Sequence, residues 1–143
     1  MQLPEGVEAG FRLVITDAFG GRFSINVYGA GRKGWFTASL RGWMGSRDVG
    51  PRRLVKGQWR TLLNFVKQCR FWELPASLPE RTDATVEDGA WLALSGREGE
   101  RYHHIDRFIW REPGLDQLQL YLTQVSGLFP AEQPDGEPAE EDE

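Results

Sequence analysis

The chain has 143 residues, of which 40% are hydrophobic and 12% aromatic, with six tryptophans. This length fits one domain of ordinary size, and the many large apolar side chains exclude a wholly disordered chain. The net charge is −4, but seven of the 21 acidic residues and none of the 17 basic ones lie in residues 130–143, so the rest of the chain is slightly basic.

The composition divides the chain into three parts. Residues 1–10 are predicted to form an N-terminal extension, 11–129 a single domain, and 130–143 a disordered acidic tail, because the tail has no large apolar residue and its carboxylates repel one another. No segment approaches the roughly 18 apolar residues that span a bilayer, and the N-terminus has no basic start. The single cysteine, Cys69, cannot form an internal disulfide and fits a reducing compartment. We therefore expect a cytoplasmic protein without a membrane partner.

The first half of the domain predicts an antiparallel meander of three strands. These strands are expected at 11–16, at 22–28, where apolar and polar residues alternate, and at 34–40. Between the first two, DAFGG favours a hairpin turn, because Asp17 can bond its own backbone and glycine tolerates positive φ. Residues 41–53 contain three glycines, a proline and several arginines, which predicts a surface loop with at most a short strand.

The second half predicts a helix, a hairpin and another helix. Apolar residues spaced by three and four indicate an amphipathic helix at about 57–70. Strands at 90–95 and 101–110 are expected to pair about a turn at 96–99, and a final helix is expected from Leu115 until Gly127 ends it. The order indicates an α+β fold, in which an antiparallel sheet of about five strands carries two helices on one face.

Both histidines of the chain are adjacent, in the segment Tyr102-His103-His104-Ile105-Asp106. Imidazole is suited to proton transfer near neutral pH, which makes this the strongest candidate for a catalytic site. Neighbouring strand residues point to opposite faces, however, so only His104 and Asp106 can meet on one face. A cross-strand or surface polar pair is favoured over a catalytic pair.

Cofactor and metal chemistry find little support in the sequence. No ligand spacing typical of zinc or calcium occurs, no serine lies in a nucleophile elbow, and the GAGRKG segment at 29–34 matches neither a P-loop nor a dinucleotide fingerprint. A glycine-rich hairpin connection is the favoured interpretation of that segment. We expect no cofactor, no metal and no enzymatic activity.

Eight basic side chains and three tryptophans gather between residues 32 and 60. Such a mixture can bind phosphates and stack on bases, but Trp and Arg also dominate the energetics of protein interfaces. A sequence pI near 5.3 favours a protein partner over nucleic acid, and an ordinary solvated loop is the third alternative. The residues predicted to bind the partner are Trp43, Arg47, Arg52 and Arg53.

Several segments between residues 59 and 127 resemble those of small uncharacterised bacterial α+β domains. They are the Phe-Trp-x-Leu-Pro segment at 71–75, the Asp-Gly pair before Trp91, and the Arg-Tyr-His-x-x-x-Arg segment at 101–107. In size and composition the chain is also similar to immunity proteins that neutralise a cognate toxin. This resemblance implies a protein that blocks a toxin or effector, with a nucleic-acid-binding module using residues 32–60 or a small enzyme using His104 and Asp106 as alternatives.

Overall fold

The computed structural model of the chain describes residues 3–17, 20–42, 45–77, 90–107 and 114–128. These residues form one antiparallel sheet of six strands and two α-helices, which confirms the predicted α+β class. The strands are β1 Ala9–Asp17, β2 Arg22–Ala30, β3 Lys33–Gly42, β4 Gly45–Arg53, β5 Ala90–Glu98 and β6 Arg101–Arg107. The helices are α1 Gln58–Gln68 and α2 Leu115–Ser126, and a single 3-10 turn, Phe71–Glu73, follows α1.

The strands lie in the order β4-β3-β2-β1-β5-β6. The first four are consecutive neighbours, as hairpins require, and β5 then pairs with the other side of β1. At the predicted β1–β2 turn the backbone N–H of Gly21 donates to Asp17 Oδ1 at 2.8 Å, so the expected side-chain bond forms. This order places β1 inside the sheet and leaves β4 and β6 as its two edges.

Alternate residues of each strand are buried on one side of the sheet, which we call the core face. In β2, for example, Phe23, Ile25 and Val27 are almost completely buried. The intervening positions, such as Asn26 and Tyr28, are half-buried or exposed, and we call their side the open face. Exposed side chains on the open face, such as Arg12, are accessible to a ligand.

The two helices bury their apolar stripes in the same core. Trp59, Leu62 and Val66 of α1 are buried, as are Leu115, Leu118 and Leu122 of α2. The helices contact each other, and both contact β3. Gly127, in the left-handed conformation with φ of 72°, ends α2 at the predicted residue.

The prediction of a loop at 41–53 was wrong, because residues 45–53 form the full-length strand β4. The sequence shows no alternation there because β4 is an edge strand whose side chains are almost all exposed on both sides. Such a strand needs no apolar pattern, and its glycines and Pro51 are compatible with a sheet edge. The sheet therefore has six strands, close to the predicted number of about five.

The predicted turn at 96–99 was also misplaced. β5 continues to Glu98, and the chain turns at Gly99, where φ is 61°. Gly96 lies inside β5, where a Cβ atom would come within 2.7 Å of the Phe11 and Phe71 rings. This glycine allows two aromatic rings to approach the backbone, so it marks packing rather than a turn.

Candidate functional site

β4 carries the arginines that were predicted to bind a partner. In the register with β3, Arg47 and Arg52 align with core-face positions, whereas Arg53 aligns with Trp35 on the open face. The predicted set is therefore divided between the two sides of one edge strand. All three arginines are exposed, and in the described part of the chain none of them forms an ion pair. Trp43, the fourth predicted residue, lies outside the described residues.

The opposite edge of the sheet, β6, is covered by the segment that follows the 3-10 turn. The backbone N–H of Asp106 donates to the carbonyl oxygen of Ala76 at 2.8 Å. His103 Nε2 lies 2.7 Å from the carbonyl oxygen of Leu74, and Arg107 Nη2 donates to that of Pro75 at 2.9 Å. One backbone N–H group and two side chains of β6 thus already bond to the chain itself.

Two of the segments that carry the resemblance, 71–75 and 101–107, contact each other along this edge, and the Asp-Gly pair at 88–89 lies outside the described residues. Phe71 packs its ring against His103 at a centroid distance of 5.2 Å, and the Arg101 guanidinium lies 4.0 Å from the Trp72 ring centroid. Arg107 is 2% exposed and donates to backbone carbonyl groups. His103 and Arg107 therefore attach the chain after α1 to the last strand, which is a structural role.

On the open face His104 lies between two polar side chains. Its Nδ1 is 2.7 Å from Ser95 Oγ, and its Nε2 is 3.2 Å from Asp106 Oδ1. His104 and Ser95 are directly opposite each other in neighbouring strands, so strand pairing itself brings them together. His103, one residue earlier, is on the core face, and the two histidines do not share a site.

A serine, a histidine and a carboxylate in a hydrogen-bonded chain raise the question of nucleophilic catalysis. Such catalysis also requires donors that stabilise an oxyanion beside the serine. Ser95 lies in β5, which pairs with β1 on one side and β6 on the other. The backbone N–H groups around it therefore already form hydrogen bonds to these two neighbouring strands. The side chains of His104 and Asp106 are also 38% and 39% exposed on an extended strand. This arrangement fits a cross-strand polar contact better than an acyl-transfer site.

One cleft of about 410 Å³ opens at the end of the sheet near α2. Its walls include Ile15, Phe23 and Leu40, with Arg22 and Arg41 at the same end of the strands. Neither His104 nor Asp106 lines it. Among the described residues, no group of three or more His, Cys, Asp or Glu side chains is placed to hold a metal ion.

The basic and aromatic segment at 32–60 does not form one surface. Trp59 is 3% exposed and packs in the core, so it is not available to a ligand. Trp35 lies on the open face, where its ring stacks on Tyr28 with centroids 6.2 Å apart and planes inclined by 21°. Strand geometry thus separates residues that the linear sequence grouped together.

On the open face the structure reveals Arg12 and Tyr28, which the sequence did not single out, together with Tyr102 of the histidine segment. Arg12, Tyr28 and Tyr102 come from β1, β2 and β6, and the side chains of Arg12 and Tyr102 are exposed. In the sequence, these residues could have been identified as polar or aromatic residues at strand positions that alternate with buried apolar positions. Strand order was also needed, because these residues are far apart in the sequence.

No protein-family model, curated protein or solved structure matches this chain. Within the residues that the structure describes, no helix is both long enough and apolar enough to cross a membrane.

Proposed function

We propose that this chain is a non-catalytic bacterial protein-binding domain of the cytoplasm, and that its contact surface is the edge strand β4. The observation that supports this proposal is the difference between the two edges. Residues Leu74–Ala76 bond to β6, whereas β4 has no neighbour on its outer side among the described residues. We take both helices to cover the core face, so the edge remains open to a partner.

The charge of β4 indicates which partner it accepts. Arg47, Arg52 and Arg53 project on both sides of the strand, and arginines of a second copy would repel them. Pro51 lacks a backbone donor, and the register shift opposite Phe36 and Ala38 further disfavours pairing with an identical strand. An acidic segment of another protein does not meet the charge repulsion, because its carboxylates pair with the guanidinium groups.

The particular role we propose is that of an immunity protein. In this role β4, with Trp43 just before it in the sequence, would cover the active site or a docking surface of a cognate toxin or effector. Arginine and tryptophan commonly supply most of the binding energy of such interfaces, and complementary charge accelerates association. The support comes from the exposed arginines and from the resemblance in size and composition.

Charge reversal on β4 tests the interface. Tagged wild-type protein and the Arg47→Glu/Arg52→Glu variant are used to capture partners from the source cell, with nuclease treatment of the eluate. The matched control is Arg60→Glu/Lys67→Glu, which changes the same charge at exposed positions of α1. We expect one stoichiometric protein with the wild type and the control, and binding weaker by about tenfold or more with the β4 variant. Equal capture by both variants would rule out β4 as the interface.

The immunity role requires a second experiment on the captured protein. Expressed alone, a toxin should stop growth, and co-expression of this chain should restore it. The Arg47→Glu/Arg52→Glu variant should fail to restore growth while the α1 control succeeds. A partner that is harmless when expressed alone would contradict the immunity role but leave protein binding intact.

A further inference from the structure

The open face has its own chemistry, and it reaches the β4 edge at Arg53. One row across the sheet, read from the strand register, contains Arg53, Trp35, Tyr28, Gly10, Arg97 and Tyr102. The next row contains Thr37, Asn26, Arg12, Ser95 and His104. Aromatic rings, guanidinium groups and neutral hydrogen-bonding groups therefore occupy one continuous surface.

These two rows contain no carboxylate among the described residues. In the following row Asp48 binds Arg41 at 2.8 Å and Asp106 lies 3.2 Å from His104. On the other side of the two rows, Glu8 Oε1 accepts a hydrogen bond from the backbone N–H of Gly31 at 3.2 Å. Arg12, near the middle of the surface, thus has a positive charge that no ion pair with a described residue offsets. A ligand with repeated negative charge is complementary to this part of the sheet.

The aromatic rings restrict the ligand further. Tyr28 and Trp35 form one stacked platform, and Tyr102, which is 47% exposed, lies three strands away from Tyr28. Neighbouring strands are about 4.8 Å apart, so roughly 14 Å separate the two aromatic positions. Arg12 lies between them on β1, one row further along. A chain that alternates planar rings with phosphates can therefore contact both aromatic positions and the arginine at once.

We propose that this surface binds single-stranded nucleic acid. Bases stack on the Tyr28–Trp35 platform and on Tyr102, while Arg12 binds the phosphates between them. Asn26 and Thr37, hydrogen-bonded to each other at 3.5 Å, lie beside the platform where base edges would be. Double-stranded nucleic acid does not fit this surface, because its bases are stacked on each other and cannot stack on the aromatic side chains.

The first test measures stacking with fluorescein-labelled oligo-dT and oligo-rU of about 12 nucleotides, by fluorescence anisotropy on the full chain. Trp35→Ala and Tyr102→Ala should each weaken binding by roughly 5- to 100-fold, the usual effect of removing one stacked ring. Trp35→Phe keeps a ring and should retain most of the affinity. The control is Leu120→Ala, since Leu120 is a large exposed side chain on α2.

The second test measures the phosphate contact by its salt dependence. For single strands, each phosphate contact contributes about −0.7 to the slope of log K against log salt, so Arg12→Gln should make the slope less negative by about that amount. Arg60→Gln on α1 removes the same charge elsewhere and should leave the slope unchanged. Circular dichroism of every variant verifies that the fold is intact.

Three results would overturn the proposal. The first is that neither oligonucleotide binds. The second is that Trp35→Ala and Tyr102→Ala leave the affinity of the folded protein unchanged. The third is that polyglutamate displaces the oligonucleotide when its carboxylate concentration equals the phosphate concentration. The last result would indicate a general anion or acidic-protein surface. The Arg47→Glu/Arg52→Glu variant should still bind oligonucleotide, so this proposal and the β4 interface can fail independently.

Discussion

At the scale of single residues, one glycine and one arginine have roles that their residue types alone do not reveal. Gly29 belongs to the GAGRKG segment, which forms the β2–β3 hairpin as predicted. It lies on the core face, and a Cβ atom there would overlap the indole of Trp59 and come within 2.6 Å of the Lys33 carbonyl oxygen. The absence of a side chain allows α1 to approach the sheet at this point.

We predict that Gly29→Ala destabilises the fold by about 1–3 kcal/mol, because the added methyl group overpacks the contact with Trp59. The free energy of unfolding in urea measures the effect. Gly42→Ala is the matched control, since Gly42 ends β3 without a positive φ and a Cβ atom there would have no described atom within 4 Å. A similar loss of stability in both variants would mean that the effect of Gly29→Ala comes from backbone propensity and not from packing on Trp59.

Arg107 supports a second prediction at this scale. A lysine keeps the charge but cannot present two nitrogens in a fixed fork to the carbonyl groups of Pro75 and Asp106. Arg107→Lys should therefore lower the free energy of unfolding by about 1.5–3 kcal/mol. Arg60→Lys, exposed on α1, should change it very little, and equal stability of the two variants would contradict the structural role of Arg107.

At the scale of elements, the helices and interior strands could be predicted because their apolar residues recur with a clear period. Strand β2 alternates Phe23, Ile25 and Val27, and its predicted and observed starts coincide at Arg22. β4 could not be predicted, because both of its sides face solvent and no burial imposes a period on the sequence. Gly96 was misread for a related reason, since a glycine beneath two aromatic rings is indistinguishable in sequence from one in a turn.

The contact between the helices has a pH dependence with a definite sign. Tyr121 of α2 packs on Phe65 of α1 with ring centroids 5.1 Å apart and donates to the carbonyl oxygen of Gln58 at 3.4 Å. Burial raises the pKa of Tyr121 above its ordinary value of 10.0, and a hydrogen bond with Thr61 opposes this. As pH rises through 10.0, Tyr121 in the unfolded chain loses its hydroxyl proton before Tyr121 in the folded chain does. The contribution of this group to the free energy of unfolding is therefore fully present below that pH and is lost as the pH rises above it.

We therefore predict that wild type loses stability relative to Tyr121→Phe between about pH 9 and pH 11. The phenylalanine keeps the ring contact with Phe65 and has no proton to lose. Urea unfolding at a series of pH values measures the difference between the two proteins. A difference that stays constant over this range would show that Tyr121 titrates equally in the folded and unfolded chains.

At the scale of the whole molecule, the candidate surfaces depend on strand order, which explains why the sequence identified only part of them. Arg47, Arg52 and Arg53 are close together in sequence and could be selected as exposed cations. Arg12 and Tyr102 lie on the same open face, two strands apart, because β5 pairs with both β1 and β6. Such a non-local pairing has no signature in any short window of sequence.

The separation of charge along the chain leads to the last prediction. Residues 130–143 contain seven acidic residues. The whole chain has a net charge of −4, whereas the chain without these residues has more basic side chains, 17, than acidic ones, 14. Removing this negative charge should strengthen oligonucleotide binding to the open face, on the order of tenfold at low salt. The gain should disappear once the ionic strength shortens the Debye length to a few ångströms. Replacing the seven carboxylates by amides, at unchanged length, should reproduce the gain; if only deletion does so, residues 130–143 act by their bulk and not by their charge.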